Sequence, residues 1–336
     1  MNRDRILLAH GGGGSLTREL ITRMFLPRFE NPVLQPLDDS AVLVMDGTGY
    51  AFTTDSYVVK PCFFPGGDIG KLAVCGTIND LAMQGAQPLW LSLGFILEEG
   101  LLLADLQKIV QSIGETARAT GTEIVTGDTK VVERGKCEGL YINTAGIGKV
   151  VAPNRWGAAS VRPGDVVLLN GTLGDHGIAV LSQREGIGFS TSVVSDCAPL
   201  WPLVKTIVET GAEIHAMRDL TRGGLAAAAC DIAEAAGAGI SLEEAALPVG
   251  REVRGACDLL GLDPLTIANE GKCLVFCPEE HAARVLAAMK THPLGKEARL
   301  IGRVQPGPKG LALLRTTIGG ERILDMPTGE ELPRIC

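Results

Sequence analysis

The sequence predicts a two-domain α/β (α+β) protein. Short β-branched runs alternate with segments of helical apolar spacing on both sides of Pro153-Asn154-Arg155-Trp156-Gly157, a plausible boundary. At 336 residues the chain is also long for one domain, given a prior of ~150 residues per domain. The expected division is 1–150, 151–325 and a flexible tail over 326–336.

Composition narrows the function. Net charge is −8, so the basic footprint of a nucleic-acid binder is missing. No run of eighteen apolar residues offers a membrane span, and Met1 to His10 has too short an apolar core for a secretory signal. Nine cysteines without a Cys-x-x-Cys pair predict reduced thiols and a cytosolic protein. Cys273 and Cys277, with no histidine nearby, read as packing residues rather than zinc ligands. Glycine is abundant, 43 residues against a usual ~7%, which signals tight turns and close backbone approaches.

In order along the chain, His10-Gly11-Gly12-Gly13-Gly14-Ser15 precedes apolar residues at helical spacing from Leu16 to Phe25, with Ser15 as the expected cap. Ala41–Met45 and Tyr50–Ser56 read as a hairpin around Asp46-Gly47-Thr48-Gly49. In an antiparallel pair Asp39 and Asp55 then meet, and adjacent carboxylates either share a cation or sit solvated. The Phe63–Lys71 stretch is glycine-rich but lacks the spacing and the Ser/Thr of a phosphate loop. From Ile69 a helical face begins, and Thr77, Asn79 and Asp80 read as polar interruptions of it; Asp80 is a third candidate carboxylate. Leu103 to Ala117 marks an amphipathic helix ending at Gly121.

Glu123–Thr126 reads as a strand, with Gly127-Asp128-Thr129-Lys130 as a polar loop before Val131, and Leu140–Gly148 as another strand. Past the boundary come a strand at Val166–Asn170, a glycine-rich turn carrying His176, read as structural, and helices near 199–210 and 222–236. Asp219 lies just ahead of the second, where it caps, binds metal, or both. Ile267–Lys272, carrying Glu270, interrupts two β-rich runs. The tail from Met326 mixes Pro, Gly and charge without apolar period and is expected to be extended and poorly packed. Stretched, its eleven residues reach ~35 Å at roughly 3.3 Å each, enough to carry the Cys336 thiol across a domain face.

Several segments together resemble one family. They are the His10–Gly14 cluster, Thr54-Asp55-Ser56-Tyr57, Phe63 to Ala73, Thr126 to Val132, Gly171 to Gly177, Ala268 to Lys272 and the closing Pro333-Arg334-Ile335-Cys336. The chain resembles the hydrogenase maturation family HypE, in the AIR synthase (PurM)-like superfamily of ATP-using enzymes, over essentially its whole length. The resemblance implies two AIR synthase-like domains, the first completing a barrel across a homodimer, with ATP between them. It further implies that Cys336 is carbamoylated by the carbamoyltransferase HypF. ATP-dependent dehydration then gives the S-cyanate, source of the cyanide ligand for [NiFe]-hydrogenase iron by way of the HypC–HypD complex. On this resemblance Asp39, Asp55, Asp80 and Asp219 hold Mg2+, and Lys71, Asp128, Asp55 and Asp80 take part in nucleotide binding. Lys130 and Glu270 form the catalytic pair beside the carrier Cys336. Plainer roles stand next to these: Lys130 as a phosphate contact, and Glu270 paired structurally with Lys272 or Lys130.

Two rival readings differ in class. A non-enzymatic thiol carrier predicts no nucleotide affinity, which four dispersed aspartates speak against. A selenophosphate synthetase predicts a reactive cysteine near the first glycine cluster, and no cysteine precedes Cys62.

Overall fold

The computed structural model describes residues 5–29, 31–184, 191–328, 332 and 334–336. The first domain is built on a five-stranded sheet: β1 (Ala41–Met45), β2 (Thr48–Tyr57), β5 (Ala86–Glu98), β6 (Glu123–Val132) and β7 (Leu140–Val150), in the order β1-β2-β7-β5-β6. Only the β5–β6 pair is parallel. A small ribbon, β3 (Phe63–Phe64) with β4 (Gly67–Asp68), leads into α3 (Ile69–Met83), and α4 (Leu103–Thr120) precedes β6. Ahead of the sheet, α1 (Ser15–Leu20) runs through a π-helical turn into α2 (Leu26–Phe29).

The second domain is a seven-stranded sheet of β8 (Asp165–Leu169), β9 (Ala216–Asp219), β10 (Gly239–Glu243), β11 (Cys273–Pro278), β12 (Arg299–Gln305), β13 (Ala312–Arg315) and β14 (Glu321–Leu324), ordered β14-β13-β10-β12-β8-β11-β9. Its helices are α5 (Asp175–Leu181), α6 (Trp201–Val208), α7 (Gly224–Ala236), α8 (Arg251–Leu260) and α9 (Glu279–Thr291). Period-2 alternation splits this sheet's side chains between two cores. Val167, Leu169, Leu274 and Phe276 pack with the alanine-rich α7. Val166, Leu168, Val275 and Cys277 face the other way and merge with Leu72, Ile78 and Leu91 of the first domain. One apolar core therefore crosses the domain junction and fixes the two halves together.

Several expectations change in the structure. The hairpin turn is two residues, Asp46-Gly47, both at positive φ (50° and 76°), the geometry whose twist matches paired strands. The register pairs Ala41 with Phe52, and Asp39, ahead of the paired residues, accepts the Thr53 hydroxyl on its carbonyl at 3.2 Å. Thr77, Asn79 and Asp80 do not interrupt a helix: they lie within α3, whose residues are buried on nearly every side because it is sandwiched between the two domains. Asp68 caps it, accepting from Gly70 and Lys71 amides. Gly127–Lys130 is not a loop but the middle of β6, an exposed edge strand parallel to β5. Ser15 makes no cap; Gly14 holds that position and the Ser15 amide donates to Pro327 O at 2.9 Å. Of the two β-rich runs around Glu270 only the second, β11, is a strand. Among the described residues no helix is long and apolar enough to cross a membrane.

The tail differs most. Its last residues are docked, not frayed: Ile335 is 2% exposed and belongs to the junction core. Burying such a side chain contributes about 2 kcal/mol. Leu332 packs there too, while Gly329–Glu331 and Pro333 lie outside the described residues.

Candidate active site

Four aspartates from distant points of the sequence converge where the domains meet. Asp39 stands just ahead of β1, Asp80 in the last turn of α3 and Asp219 at the end of β9, and an oxygen from each lies within 4.8 Å of the others. Alternation along β2 points Thr53, Asp55 and Tyr57 to the same inner side of the sheet. Thr53 Oγ1 donates to Asp80 Oδ2 at 2.7 Å, and Tyr57 Oη to Asp55 Oδ2 at 3.3 Å. Arg218 Nη1 pairs with Asp39 Oδ1 at 2.8 Å.

Two arginines, Arg218 and Arg222, do not neutralise four carboxylates. Burial raises the Asp39 and Asp80 carboxyls well above their usual range and raises Asp55, with neighbouring aspartates adding to it for Asp39 and Asp80. Burial likewise pushes Asp219 up to about 6, against the pull of Arg218. Asp219 Oδ2 is buried with no hydrogen-bond partner. Hard oxygen donors crowded together, with one of them orphaned, fit a divalent cation such as Mg2+.

Without added divalent ions these groups make stability pH-dependent. Their folded pKa values lie above the unfolded ones, so the stability they contribute is full below about pH 4 and is lost as pH rises. For Asp219 the loss is complete once pH passes about 6, and a rise of this size corresponds to roughly 3 kcal/mol. Asp219→Asn is expected to flatten the fall in melting temperature between pH 4 and 7 in chelator. An unchanged pH profile would contradict this electrostatic account.

Glu270 lies in the turn before β11 and is 2% exposed. Its position is set through the backbone. Asp196 accepts from the Glu270 and Gly271 amides at 3.1 and 3.2 Å, and Asn79 Nδ2 donates to Glu270 O at 3.2 Å. Gly271 is required here, since a Cβ would fall 2.1 Å from Asp196 O. Asp196 also takes the Lys272 ammonium at 2.9 Å, so Lys272 is not the partner of Glu270. Glu270 Oε1 is buried without a partner, and burial raises its carboxyl well above the ordinary range. A carboxyl of that kind is a stronger base than an exposed one.

The chain's last residues run to this place. Val58 N donates to Cys336 O at 3.4 Å and Lys60 N to Arg334 O at 3.1 Å, lining the tail along the continuation of β2. Arg184 Nη2 donates to Arg334 O at 2.8 Å, and the Arg334 guanidinium meets Glu138. Arg222, in the loop between β9 and α7, is held more firmly protonated by the charge at Cys336, then by Asp55 and Glu270. It also donates to Gly11 O at 3.0 Å, closing the first glycine cluster over the loop.

Of the site residues expected from sequence, Asp39, Asp55, Asp80, Asp219, Glu270 and Cys336 share this region. The others lie apart. Lys71 Nζ turns back to Gly66 O at 2.8 Å, and Lys130 and Asp128 form an exposed ion pair at 2.7 Å on β6. Within one chain Lys130 is not brought to Glu270. Sequence reading passed over Arg222, Arg218, Asp196 and Asn79. The only local signal was the run Arg218-Asp219-Leu220-Thr221-Arg222, in which basic residues flank the expected ligand.

Comparison with known proteins follows the same two-part division. The sequence models of the AIR synthase related protein N-terminal and C-terminal domains match residues 37–150 and 162–313. The chain is 51% identical to carbamoyl dehydratase HypE of Rhodobacter capsulatus over 335 residues, covering 99% of this chain and 98% of that protein. It is 52% identical to carbamoyl dehydratase HypE of Escherichia coli K12, covering 99% and 100%. In structure it is similar to a HypE–HypF complex (TM-score 0.87, 45% identity, 92% of this chain and 99% of that one). It is also similar to hydrogenase maturation protein HypE in complex with ATP (TM-score 0.83, 47% identity, 99% and 100%). Thiamine monophosphate kinase from Aquifex aeolicus, at 19% identity over 93% of this chain and 99% of that one with TM-score 0.66, shares the fold.

Proposed function

This chain belongs to the carbamoyl dehydratase HypE family, and from that premise we propose that it uses ATP to dehydrate a carbamoyl group on its own Cys336, in hydrogenase maturation. The observation that carries the reading is the docking of the last residues along the continuation of β2, in the buried region that also holds Arg222, the aspartate cluster and Glu270, whose Oε1 has no partner.

An amide oxygen is a poor leaving group, and phosphorylation makes it a good one. The carboxamide oxygen on Cys336 Sγ attacks the γ-phosphorus of ATP and ADP leaves. Nitrogen gives up one proton as the C=N bond forms and a second as phosphate departs with the former amide oxygen, leaving S–C≡N. The elements of one water are thereby lost. Glu270, ionised and desolvated, receives the first nitrogen proton, and the departing phosphate takes the second. Arg222 offsets negative charge developing on the oxygen side of the carbamoyl group. Asp39, Asp55, Asp80 and Asp219 would hold Mg2+, which when bound neutralises phosphate charge. Lys71, in the first turn of α3, would have to leave its bond to Gly66 O to reach a phosphate.

HypF is proposed as the carbamoyl donor, and the HypC–HypD complex as the cyanide acceptor. The exposed apolar residues of the first sheet, Val44, Phe52, Trp90 and Val125 among them, suit a second copy of the chain closing a barrel. In that homodimer the exposed Lys130 and Asp128 of β6 would serve the neighbouring subunit's cleft. Nine free cysteines suit a cytoplasmic setting.

The test is the intact mass of the Cys336 peptide after incubation with HypF, carbamoyl phosphate and Mg-ATP, with and without further ATP. Gain of a carboxamide and then loss of one water supports the reading. An adduct that persists in ATP would reduce the chain to a carrier, and no adduct at all would remove Cys336 from the chemistry.

A further inference from the structure

His176 has no part in the chemistry above, yet it is fully buried, and both of its ring nitrogens are engaged. Nε2 lies 2.9 Å from Ile335 O and Nδ1 2.8 Å from Ser195 Oγ. A carbonyl only accepts, so Nε2 carries the proton and Nδ1 accepts from the Ser195 hydroxyl. The ring meets Phe64 edge to face at 5.3 Å, which fixes its plane. Burial keeps the imidazole neutral, its pKa lowered.

The neighbours of this contact matter. Ser195 is followed by Asp196, whose carboxylate takes the Glu270 and Gly271 amides. The segment that sets the His176 tautomer thus also sets the Glu270 turn. Ile335 precedes Cys336, so a bond at its carbonyl governs where Sγ lies relative to Glu270 and Arg222.

We propose that His176, oriented by Ser195, is a positioning residue for the dehydration step: it seats the tail by donating to the Ile335 carbonyl, in register with the Glu270 turn. This rests on the reading of Cys336 as the carbamoyl carrier. His176 touches neither the carbamoyl group nor ATP and is not catalytic. Its influence should fall on the tail-in step; acceptance of the carbamoyl group, for which the tail must leave the cleft, should be equal or faster once that bond is lost.

The experiment compares wild type, His176→Leu and His176→Gln, all full length. Gln offers an amide N–H where Nε2–H stands; Leu offers none. The first readout is hydrogen exchange at the Val58 and Lys60 amides, which the docked tail covers and which needs no catalysis. His176→Leu should speed both by roughly ten- to a hundredfold, the range for losing one buried hydrogen bond. The second readout follows carbamoylated protein through a single turnover with Mg-ATP. Loss of water should slow by a similar factor in His176→Leu, with ATP affinity within about twofold of wild type and HypF-dependent carbamoylation no slower than wild type, and His176→Gln should recover most of the rate. Wild-type exchange and turnover in His176→Leu would overturn the proposal. So would a parallel fall in carbamoylation and ATP affinity, which would mark His176 as packing alone. If wild type gains no adduct, the carrier reading fails and the proposed role in turnover fails with it, while exchange still reports whether His176 holds the tail.

Discussion

Cys336→Ala is expected to abolish both carbamoyl uptake and cyanate formation while leaving ATP affinity within about twofold of wild type. The thiol is the attachment point, so nothing substitutes for it: eight other free cysteines exist, but Cys75, Cys137, Cys197, Cys257, Cys273 and Cys277 are buried, and none lies on the tail. Nucleotide binding should survive because the aspartates are anchored by β2, α3 and β9, not by the tail. Intact mass and calorimetric ATP titration check the two halves of this expectation. Product from the Ala variant would mean that the carbamoyl group sits elsewhere.

The second large effect falls on Glu270. Glu270→Gln keeps the shape and the backbone bonds to Asp196 but removes the group able to take a proton. Loss of a positioned general base costs about 10²–10⁴ in rate, so single-turnover water loss should slow by that factor with carbamoylation unchanged. A buried carboxyl also repels the neighbouring acids, and its removal should leave stability equal or higher. A rate within threefold of wild type would transfer the proton to another acceptor. If Lys130 serves the neighbouring subunit, mixing the inactive Lys130→Ala and Glu270→Gln chains should restore part of the activity through dimers with one intact cleft.

What could be read from sequence followed from local rules. The strands β1, β2, β7, β8 and the start of β6 came from apolar and β-branched runs, and α4 from its apolar stripe and the glycine that ends it. The helix α3 was legible from Ile69 onward, but its polar residues read as interruptions because it is sandwiched: with both domains against it Thr77 and Asn79 are buried along with the apolar residues. Asn79 illustrates this, spending its amide on Ala198 O, Glu270 O and the Leu200 amide across the junction. The β6 error has the opposite cause, since an exposed edge strand needs no apolar residues and Asp128 and Lys130 look like a loop. Asp39, Asp55, Asp80 and Asp219 are scattered over 180 residues, and their meeting came from family resemblance rather than from spacing. Docking of the tail left no periodic trace, because it depends on His176, Arg184 and two β2-side amides.

The central claim is that the carbamoyl oxygen leaves as phosphate. Carbamoylate Cys336 with 18O in the carbonyl, add Mg-ATP for a single turnover, and determine the isotope content of the inorganic phosphate. One labelled oxygen per phosphate, matched to cyanate formed, is the expected result. Unlabelled phosphate with label released to water would contradict activation by phosphorylation, and with it the mechanism built on this cleft.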